Sequence, residues 1–307
     1  MPKLMIERSV VIEAPVELVY ALVCDFQRWP EWSPWLSAEK DAALSFGDDG
    51  KSYAWDGAIV GRGEMRIQNA QVNESLQMQL SLLKPWKSQS AVSFRFSEEN
   101  GGTRVVWRME GSLPFFLFFM RPMMETLIGM DYERGLAMLK DLAELGAVPS
   151  TIELLPGQTR ESCRYVGLVR TCSLAEMPDC MKTDFGRLQA FFEANQLSLS
   201  GGAFSIYSKW DLSKAEVEYS ACFPVASKPD ALPAEFVYRE MPQVDAYVVE
   251  HTGAYRNLGN AWSAGMLRGR QKVFKQSKKV FPFEVYVTEI DSVPESEIVT
   301  RVYFPLA

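Results

Sequence analysis

Histidine is almost missing from this sequence. His251 is the only one among 307 residues. A His-rich metal site is thereby excluded, and any His-dependent catalytic triad has to use that one residue. Cysteine is sparse as well. Cys24, Cys163, Cys172, Cys180 and Cys222 form no C-x-x-C pair, and an odd, scattered set fits free thiols in a reducing compartment. Long hydrophobic runs are absent. The longest, Leu113 to Met120, ends at Arg121-Pro122 and falls far short of the roughly 20 residues that span a bilayer. The N-terminal MPKLMIERSVVIEAP passes straight into a charged strand with no secretory signal, so the expected location is cytoplasmic. Phosphate-loop and strand-associated G-x-G-x-x-G patterns are missing, and no metal or nucleotide cofactor is expected.

Excess positive charge is lacking too. The net charge is −7, and the halves on either side of residue 150 carry about −5 and −2. Neither half has the field that a phosphate backbone requires, so direct nucleic-acid binding is not expected. What the chain has in quantity is apolar and aromatic material. Hydrophobic residues make up 47% and aromatics 12%, with 8 Trp and 14 Met, enough for two cores and for apolar pockets.

The first half alternates from Ser9 to Glu13, and Pro15 to Asp25 reads as a helix started by proline. Trp29-Pro30-Glu31-Trp32-Ser33-Pro34-Trp35 forbids a regular helix. Strands run from Lys51 to Glu110, with Glu98 to Gly102 as a hairpin turn, and Ile128, Tyr132, Leu136, Leu139 and Ala143 form one stripe of a long helix. A curved antiparallel sheet wrapped on one helix is the natural packing. Leu113–Met130 is expected to cap that core, with an exposed ligand mouth or a membrane-touching patch as alternatives. Leu145 to Gln158, broken by Gly, Pro and Ser, reads as a linker.

The second half repeats itself. A strand at Arg164–Thr171, a helix at Cys180–Ala194 and a hairpin of Ala203–Trp210 and Ala215–Phe223 recur as a strand ending at Val248–Thr252, a helix from Tyr255 to Lys275, and strands Phe283–Glu289 and Ile298–Phe304. Both hairpins close alike, in Cys222-Phe223-Pro224-Val225 and Tyr303-Phe304-Pro305-Leu306. Two β-α-β-β units would form one sheet with both helices on one face, leaving the other face as a cleft at the pseudo-axis.

Glu284 is the sharpest candidate for chemistry. Positions 284 and 286 share a strand face, so Glu284 and Tyr286 point together. A carboxylate walled by aromatic rings can hold a cation that also stacks on them, or act as a general acid or base when buried. A solvated strand residue is the competing reading. Tyr207 and Tyr286 occupy equivalent positions in the two repeats and serve either as pocket walls or as sheet packing. Trp210, Tyr255 and Tyr303 are companion pocket residues, whereas Trp262 shares a stripe with Met266 and Val273 and reads as core. His251 reads as a hydrogen-bonded structural residue. Arg268, Lys272, Lys275 and Lys279, at helical spacing, read as a solvated helix face. In the first half, Tyr53, Trp55 and Trp107 are cavity lining or core.

Two resemblances follow. Val11-Ile12-Glu13-Ala14-Pro15, the Trp29/Trp32 pair with Pro34, the Tyr53–Gly63 segment, Gly102-Thr103-Arg104-Val105 and Asp131-Tyr132-Glu133-Arg134-Gly135-Leu136 make residues 4–147 resemble the START-like (SRPBCC) superfamily, in its polyketide-cyclase/dehydrase-like branch. That resemblance implies a helix-grip fold with an apolar cavity and no shared catalytic triplet. Val248-Val249-Glu250-His251-Thr252-Gly253, Tyr255, Phe283-Glu284-Val285-Tyr286 and the Phe-Pro-Leu end make residues 160–307 similar to the gyrase-inhibitor-like superfamily, also the effector-binding domain of AraC- and MerR-type regulators. It implies a central cleft for aromatic or cationic small molecules, a carboxylate flanked by aromatics, and in some members hydrolysis by a Glu and a Tyr. No helix-turn-helix module precedes this half.

The expectation is an α+β protein of two ligand-cavity domains, residues 1–147 and 160–307, joined by a linker at 148–159. It would bind a small apolar, aromatic or cationic molecule. The alternatives are a hydrolase using Glu284 and Tyr286, and a regulator acting through a partner protein or a homodimer. No stable membrane insertion is expected.

Overall fold

The computed structural model describes residues 3–113, 115–288 and 292–307. Two sequence expectations touch residues outside this set: the cap at Leu113–Met130 includes Pro114, and the strand from Phe283 was to reach Glu289. The chain is a mixed α/β protein with two antiparallel sheets, of seven and eight strands, in two compact units. The first unit comprises Met1–Pro149 with Tyr255–Leu267; the second comprises Ser150–Ala254 with Arg268–Ala307.

The first unit begins with β1 (Lys3–Ile12), which alternates so that Leu4, Ile6 and Ile12 face inward. Pro15 opens α1 (Val16–Cys24), which buries Val19, Tyr20, Leu22 and Val23. Pro30 then falls inside a 3-10 turn at Phe26–Glu31, as the two prolines require. The indole N–H groups of Trp29 and Trp32 donate to the carbonyls of Val23 (2.9 Å) and Leu22 (3.3 Å), so both rings are buried without an orphaned donor. Next come β2 (Ala43–Phe46), β3 (Ser52–Gly57), β4 (Gly61–Gln71), β5 (Ser75–Lys84), β6 (Ser88–Glu99) and β7 (Gly102–Ser112). The sheet order is β1-β7-β6-β5-β4-β3-β2. Asn100 and Gly101, with φ of 52° and 82°, make the tight β6–β7 turn.

Glu39 is a buried carboxylate with a structural job. It accepts the backbone N–H groups of Ala58, Ile59 and Val60 at 2.8 to 2.9 Å and so fixes the β3–β4 turn.

The predicted long helix is α2 (Arg121–Leu145), ended by Gly146 in the left-handed region at φ 80°. Its buried stripe includes Gly129, Tyr132, Gly135, Leu136, Leu139 and Leu142. Tyr132 stacks on Trp107 with ring centroids 3.9 Å apart, and a Cβ on Gly135 would stand 2.7 Å from the same indole. The unit also contains a segment distant in sequence. Tyr255–Asn257 forms a 3-10 turn that leads into α4 (Gly259–Arg270), whose residues through Leu267 count with this unit. Arg134 on α2 donates to Asn260 (2.8 Å) and Ser263 (3.1 Å), and Asp141 accepts from Arg256 (2.9 Å) and Asn257 (2.7 Å).

The helix predicted to run from Tyr255 to Lys275 therefore ends at Arg270. Lys272 adopts φ 61°, incompatible with a continuing helix, and Arg268 is 7% exposed. The basic stripe read as a solvated helix face does not exist: Lys272, Lys275 and Lys279 lie beyond the helix end, as does Val273, which is exposed.

The second unit begins inside the stretch read as a linker. Residues 150–160 are β8 (Ser150–Arg160), paired with β13 (Val244–Gly253). Pro156 and Gly157, taken for breaks, sit at a bulge where Ala246 pairs with Gln158 and Val248 with Leu155; Gly157 has φ 70°. The remaining elements are β9 (Cys163–Ser173), α3 (Met177–Ala194), β10 (Phe204–Asp211), β11 (Glu216–Val225), β12 (Val237–Met241), β14 (Phe283–Tyr286) and β15 (Val299–Pro305). The order is β12-β9-β11-β10-β14-β15-β13-β8.

That order forces the sheet to curl. Two residues link β8 to β9, and two link β12 to β13. Such links reach at most about 11 Å. In a flat sheet β8 and β9 would lie six spacings, roughly 29 Å, apart. The face enclosed by this closure carries Tyr165, Phe204, Cys222, Met241, Val248, Phe283 and Tyr303, with the Arg160 guanidinium 5.0 to 5.8 Å from the centroids of Phe204, Phe283 and Tyr303. The face expected to form an open cleft is thus a filled core. The opposite face is covered by α3, which packs on β9 and β11. Of the two helices expected on one face, this unit itself contains one, α3, since the segment 255–267 counts with the first unit.

Candidate functional site

Glu284 and Ser205 are directly opposed where β10 pairs with β14, at the centre of the eight-stranded sheet. Tyr207 and Tyr286 flank them, each two residues further along its strand. Strand parity places all four side chains on the face beneath α3. Glu284 is 2% exposed, and one of its oxygens, Oε1, accepts both phenols: Tyr207 at 2.8 Å and Tyr286 at 2.7 Å. The Ser205 hydroxyl lies 2.9 Å from the Tyr286 hydroxyl. Burial, and then the Glu284 charge beside them, push both phenols well above the usual tyrosine range. They are hydrogen-bond donors at every physiological pH.

A β-bulge between Tyr207 and Lys209 brings Trp210 onto the same face, where its ring stacks on Tyr207 at 5.3 Å. From α3, Met181 Sδ lies 3.8 Å from the Tyr207 hydroxyl, and Phe185 meets Tyr286 edge-on at 5.5 Å. The sequence groups Glu284, Tyr286, Tyr207 and Trp210, and the structure brings them together, but on the face beneath α3 and not on the helix-free face expected to form the cleft. Tyr303 is different. It pairs with Phe283 and stacks on it at 4.7 Å, so it belongs to the enclosed core behind the sheet and not to the walls around Glu284. Tyr255 lies in the segment that counts with the first unit.

Sequence reading missed the residue that holds α3 down. Asp184, 1% exposed, accepts from Arg170 Nε (2.7 Å), Arg170 Nη2 (2.5 Å) and the Tyr219 hydroxyl (2.8 Å). Tyr219 is the cross-strand partner of Tyr207, so this cluster anchors α3 at β11, two strands away from Glu284 on β14. The available signal is the spacing Asp184, Leu188, Phe192, which places an acid on the buried stripe of the helix.

In the first unit, Tyr53 and Trp107 are 5% and 1% exposed and belong to a continuous aromatic cluster with Phe26, Trp29, Trp32, Phe94 and Tyr132. Trp55 is half-buried and covers Gly63, whose Cβ would strike its ring. Phe118 and Phe119 are 57% and 65% exposed, so these two residues do not cap the core. A hollow of about 340 Å³ in the second unit, lined by residues such as Arg164, Ser200 and Glu240, is open and separate from the Glu284 cluster. Among the described residues no group of His, Cys, Asp and Glu is placed to hold a metal ion, and no helix is long and apolar enough to cross a membrane.

His251 is fully buried, with Nε2 2.8 Å from the Ser150 hydroxyl, as a structural histidine would be. Burial lowers its pKa from 6.5 to about 4. The folded state disfavours the imidazolium, so its contribution to stability is complete above pH 6.5 and is lost as pH falls toward 4. Between pH 7 and pH 5 the loss is about 2 kcal/mol. Urea unfolding at the two pH values should show it for the native chain but not for His251→Gln. Equal pH dependence of the two proteins would contradict the assignment.

Residues 3–144 match the family model described as "Polyketide cyclase / dehydrase and lipid transport". No curated protein matches the chain. Among solved structures, EcmrR in its DNA complex is 17% identical, with a TM-score of 0.44 over 60% of this chain; the chain covers 65% of that protein, less than two thirds of its length. The EcmrR C-terminal domain is 17% identical, with a TM-score of 0.40 over 52% of this chain and 98% of that one. The Aha1 dimer from Colwellia psychrerythraea is 17% identical, with a TM-score of 0.36 over 48% of this chain and 98% of that one.

Proposed function

We propose that this chain is a small-molecule binding protein whose second unit seats an apolar, aromatic, cationic ligand at Glu284. The observation that carries this is the buried carboxylate itself, with two phenols on a single oxygen and an indole stacked on one of them. Burying a carboxylate is costly, so an acid at the centre of a sheet calls for a reason. The fold does not demand an acid there, since the opposed position holds Ser205. A ligand cation would pair with that carboxylate and stack on Tyr207, Tyr286 and Trp210.

The strand order around this point supports a duplicated origin. On our reading, β9-β11-β10 and β13-β15-β14 are two copies meeting at the β10–β14 pair, with β12 and β8 exchanged between them. The first unit is a helix-grip, START-like ligand domain, a reading that the match of residues 3–144 supports. The ligand portions are residues 1–147 and 160–307, with β8 completing the second. The protein would act in the cytoplasm by sensing or sequestering its ligand, or by signalling through a partner protein or a homodimer.

The test is fluorescence titration with the N-methyl-styrylpyridinium cation. Glu284→Gln should weaken binding about 30-fold, near 2 kcal/mol. Unchanged affinity would refute the assignment. A second reading rests on the 2.7 Å bond from Tyr286 to Glu284, a proton-transfer pair suited to hydrolysis of an electrophilic small molecule. It requires turnover that Glu284→Gln abolishes while binding persists.

A further inference from the structure

A row of polar side chains continues from the Glu284 site across the sheet. Tyr286 on β14 is directly opposed to Thr300 on β15, and Thr300 is directly opposed to His251 on β13. Directly opposed residues share a face, so Thr300 and His251 lie on the same face as Glu284, Tyr286 and Tyr207. Thr300 and His251 are both 0% exposed. Thr300 Oγ1 and His251 Nδ1 have no hydrogen-bond partner among the described residues. The other imidazole nitrogen is already engaged by Ser150.

One orphaned polar atom in a sheet is a local cost. Two on adjacent strands, with side chains on one face, mark a place where a hydrogen-bonding group is wanted, because each buried unsatisfied group forfeits about 1–3 kcal/mol. Valine at 300 would pack equally well without that cost. The imidazole is neutral at physiological pH, so a neutral partner suits it.

We infer that Thr300 and His251 form a second, neutral polar subsite beside the Glu284 site, which takes a hydroxyl or carboxamide on the ligand. This rests on the reading of Glu284 given above and narrows it. The row lies two residues, near 7 Å, along the strands from Glu284 and between one and two strand spacings of about 4.8 Å across, so the subsite is roughly 10 Å from the carboxylate. The ligand class is then an elongated cation with an aromatic body and a neutral hydrogen-bonding group at its far end. Thr300 offers both donor and acceptor, and His251 Nδ1 offers one or the other according to which way the Ser150 bond runs.

The experiment compares two probes on the full chain, N-methyl-styrylpyridinium and its para-hydroxy analogue, whose hydroxyl stands at the opposite end from the charged nitrogen. The native chain should bind the hydroxylated probe about tenfold more tightly. Thr300→Val should erase that preference while leaving the parent probe unchanged, and Thr300→Ser, which keeps the hydroxyl, should retain it. Equal affinity of the native chain for the two probes overturns the subsite without needing any variant. So does a preference that survives in Thr300→Val. The Glu284 reading fails separately, if Glu284→Gln leaves the affinity of the parent probe unchanged. Binding of neither probe to the native chain overturns both readings.

Discussion

A chain ending at Pro149 is expected to lose about 4 kcal/mol of stability relative to the same region in the full protein, enough to abolish a cooperative transition in a marginal domain. The cause is the loss of the segment that pairs with and covers an ionic cluster on α2. Asp141 is 5% exposed and accepts from Arg256 and Asn257, while the Arg134 side chain, 11% exposed, donates to Asn260 and Ser263. All four partners lie in the segment Tyr255–Leu267, which completes the first unit from a hundred residues downstream. Removing them strips Asp141 and Arg134 of these hydrogen bonds and of the Arg256 charge, and uncovers the α2 surface that the segment packs on. Denaturant unfolding followed by tryptophan fluorescence checks this, since Trp29, Trp32 and Trp107 are all buried in that unit. Fusing residues 255–267 to the truncated chain should recover part of the loss. A truncated chain that unfolds with the full protein's midpoint and slope would contradict the assignment.

Asp184→Ala is expected to cost about 3 kcal/mol. Asp184 receives two guanidinium bonds and one phenol bond, and its removal leaves Tyr219, fully buried, with a donor to satisfy. Arg170 is 34% exposed and can turn to solvent, which holds the figure below the upper range for buried pairs. The consequence extends beyond stability. Asp184 stands next to Phe185, which packs on Tyr286, and three residues from Met181, which touches Tyr207. Loosening α3 should expose the Glu284 cluster, read as faster hydrogen exchange at Phe204–Asp211 and Phe283–Tyr286. Asp184→Asn keeps one acceptor and should cost less than half as much. A loss below about 1 kcal/mol for the alanine variant would show that the ion pair is not an anchor.

Much of the site was legible because strand parity is a strict rule. Glu284 and Tyr286 had to share a face, and the repeat read in the sequence sets Tyr207 in the matching position. What parity within one strand cannot give is register between strands. Tyr303 was grouped with Glu284, yet the pairing sets Tyr303 against Phe283 and Val302 against Glu284. One residue of register moves a ring to the opposite face of the sheet. The bulge that brings Trp210 alongside Tyr207 is likewise a property of two strands.

The misread segments share a different cause, in which tertiary pairing overrode local signals. Pro156 and Gly157 look like a break, and β8 absorbs them as a bulge because β13 supplies the ladder on either side. The basic residues after Arg270 keep helical spacing, but Lys272 turns into the left-handed region and the chain leaves the helix. The curl of the eight-stranded sheet follows from two short links, and their lengths become informative only once the strand order is known. Asp184 shares the stripe of Leu188 and Phe192, but it is easily passed over because an acid in the middle of an amphipathic helix ordinarily faces water.

The central claim is that Glu284 seats the charged end of the ligand. Its most direct test is a crystal structure of the protein with the N-methyl-styrylpyridinium cation. The account predicts the pyridinium ring against Tyr207 and Tyr286, its nitrogen within about 6 Å of their ring centroids and facing the Glu284 carboxylate, with the contacts of Met181 and Phe185 rearranged. A complex in which both phenols still bond Glu284 and the cation lies elsewhere would contradict it.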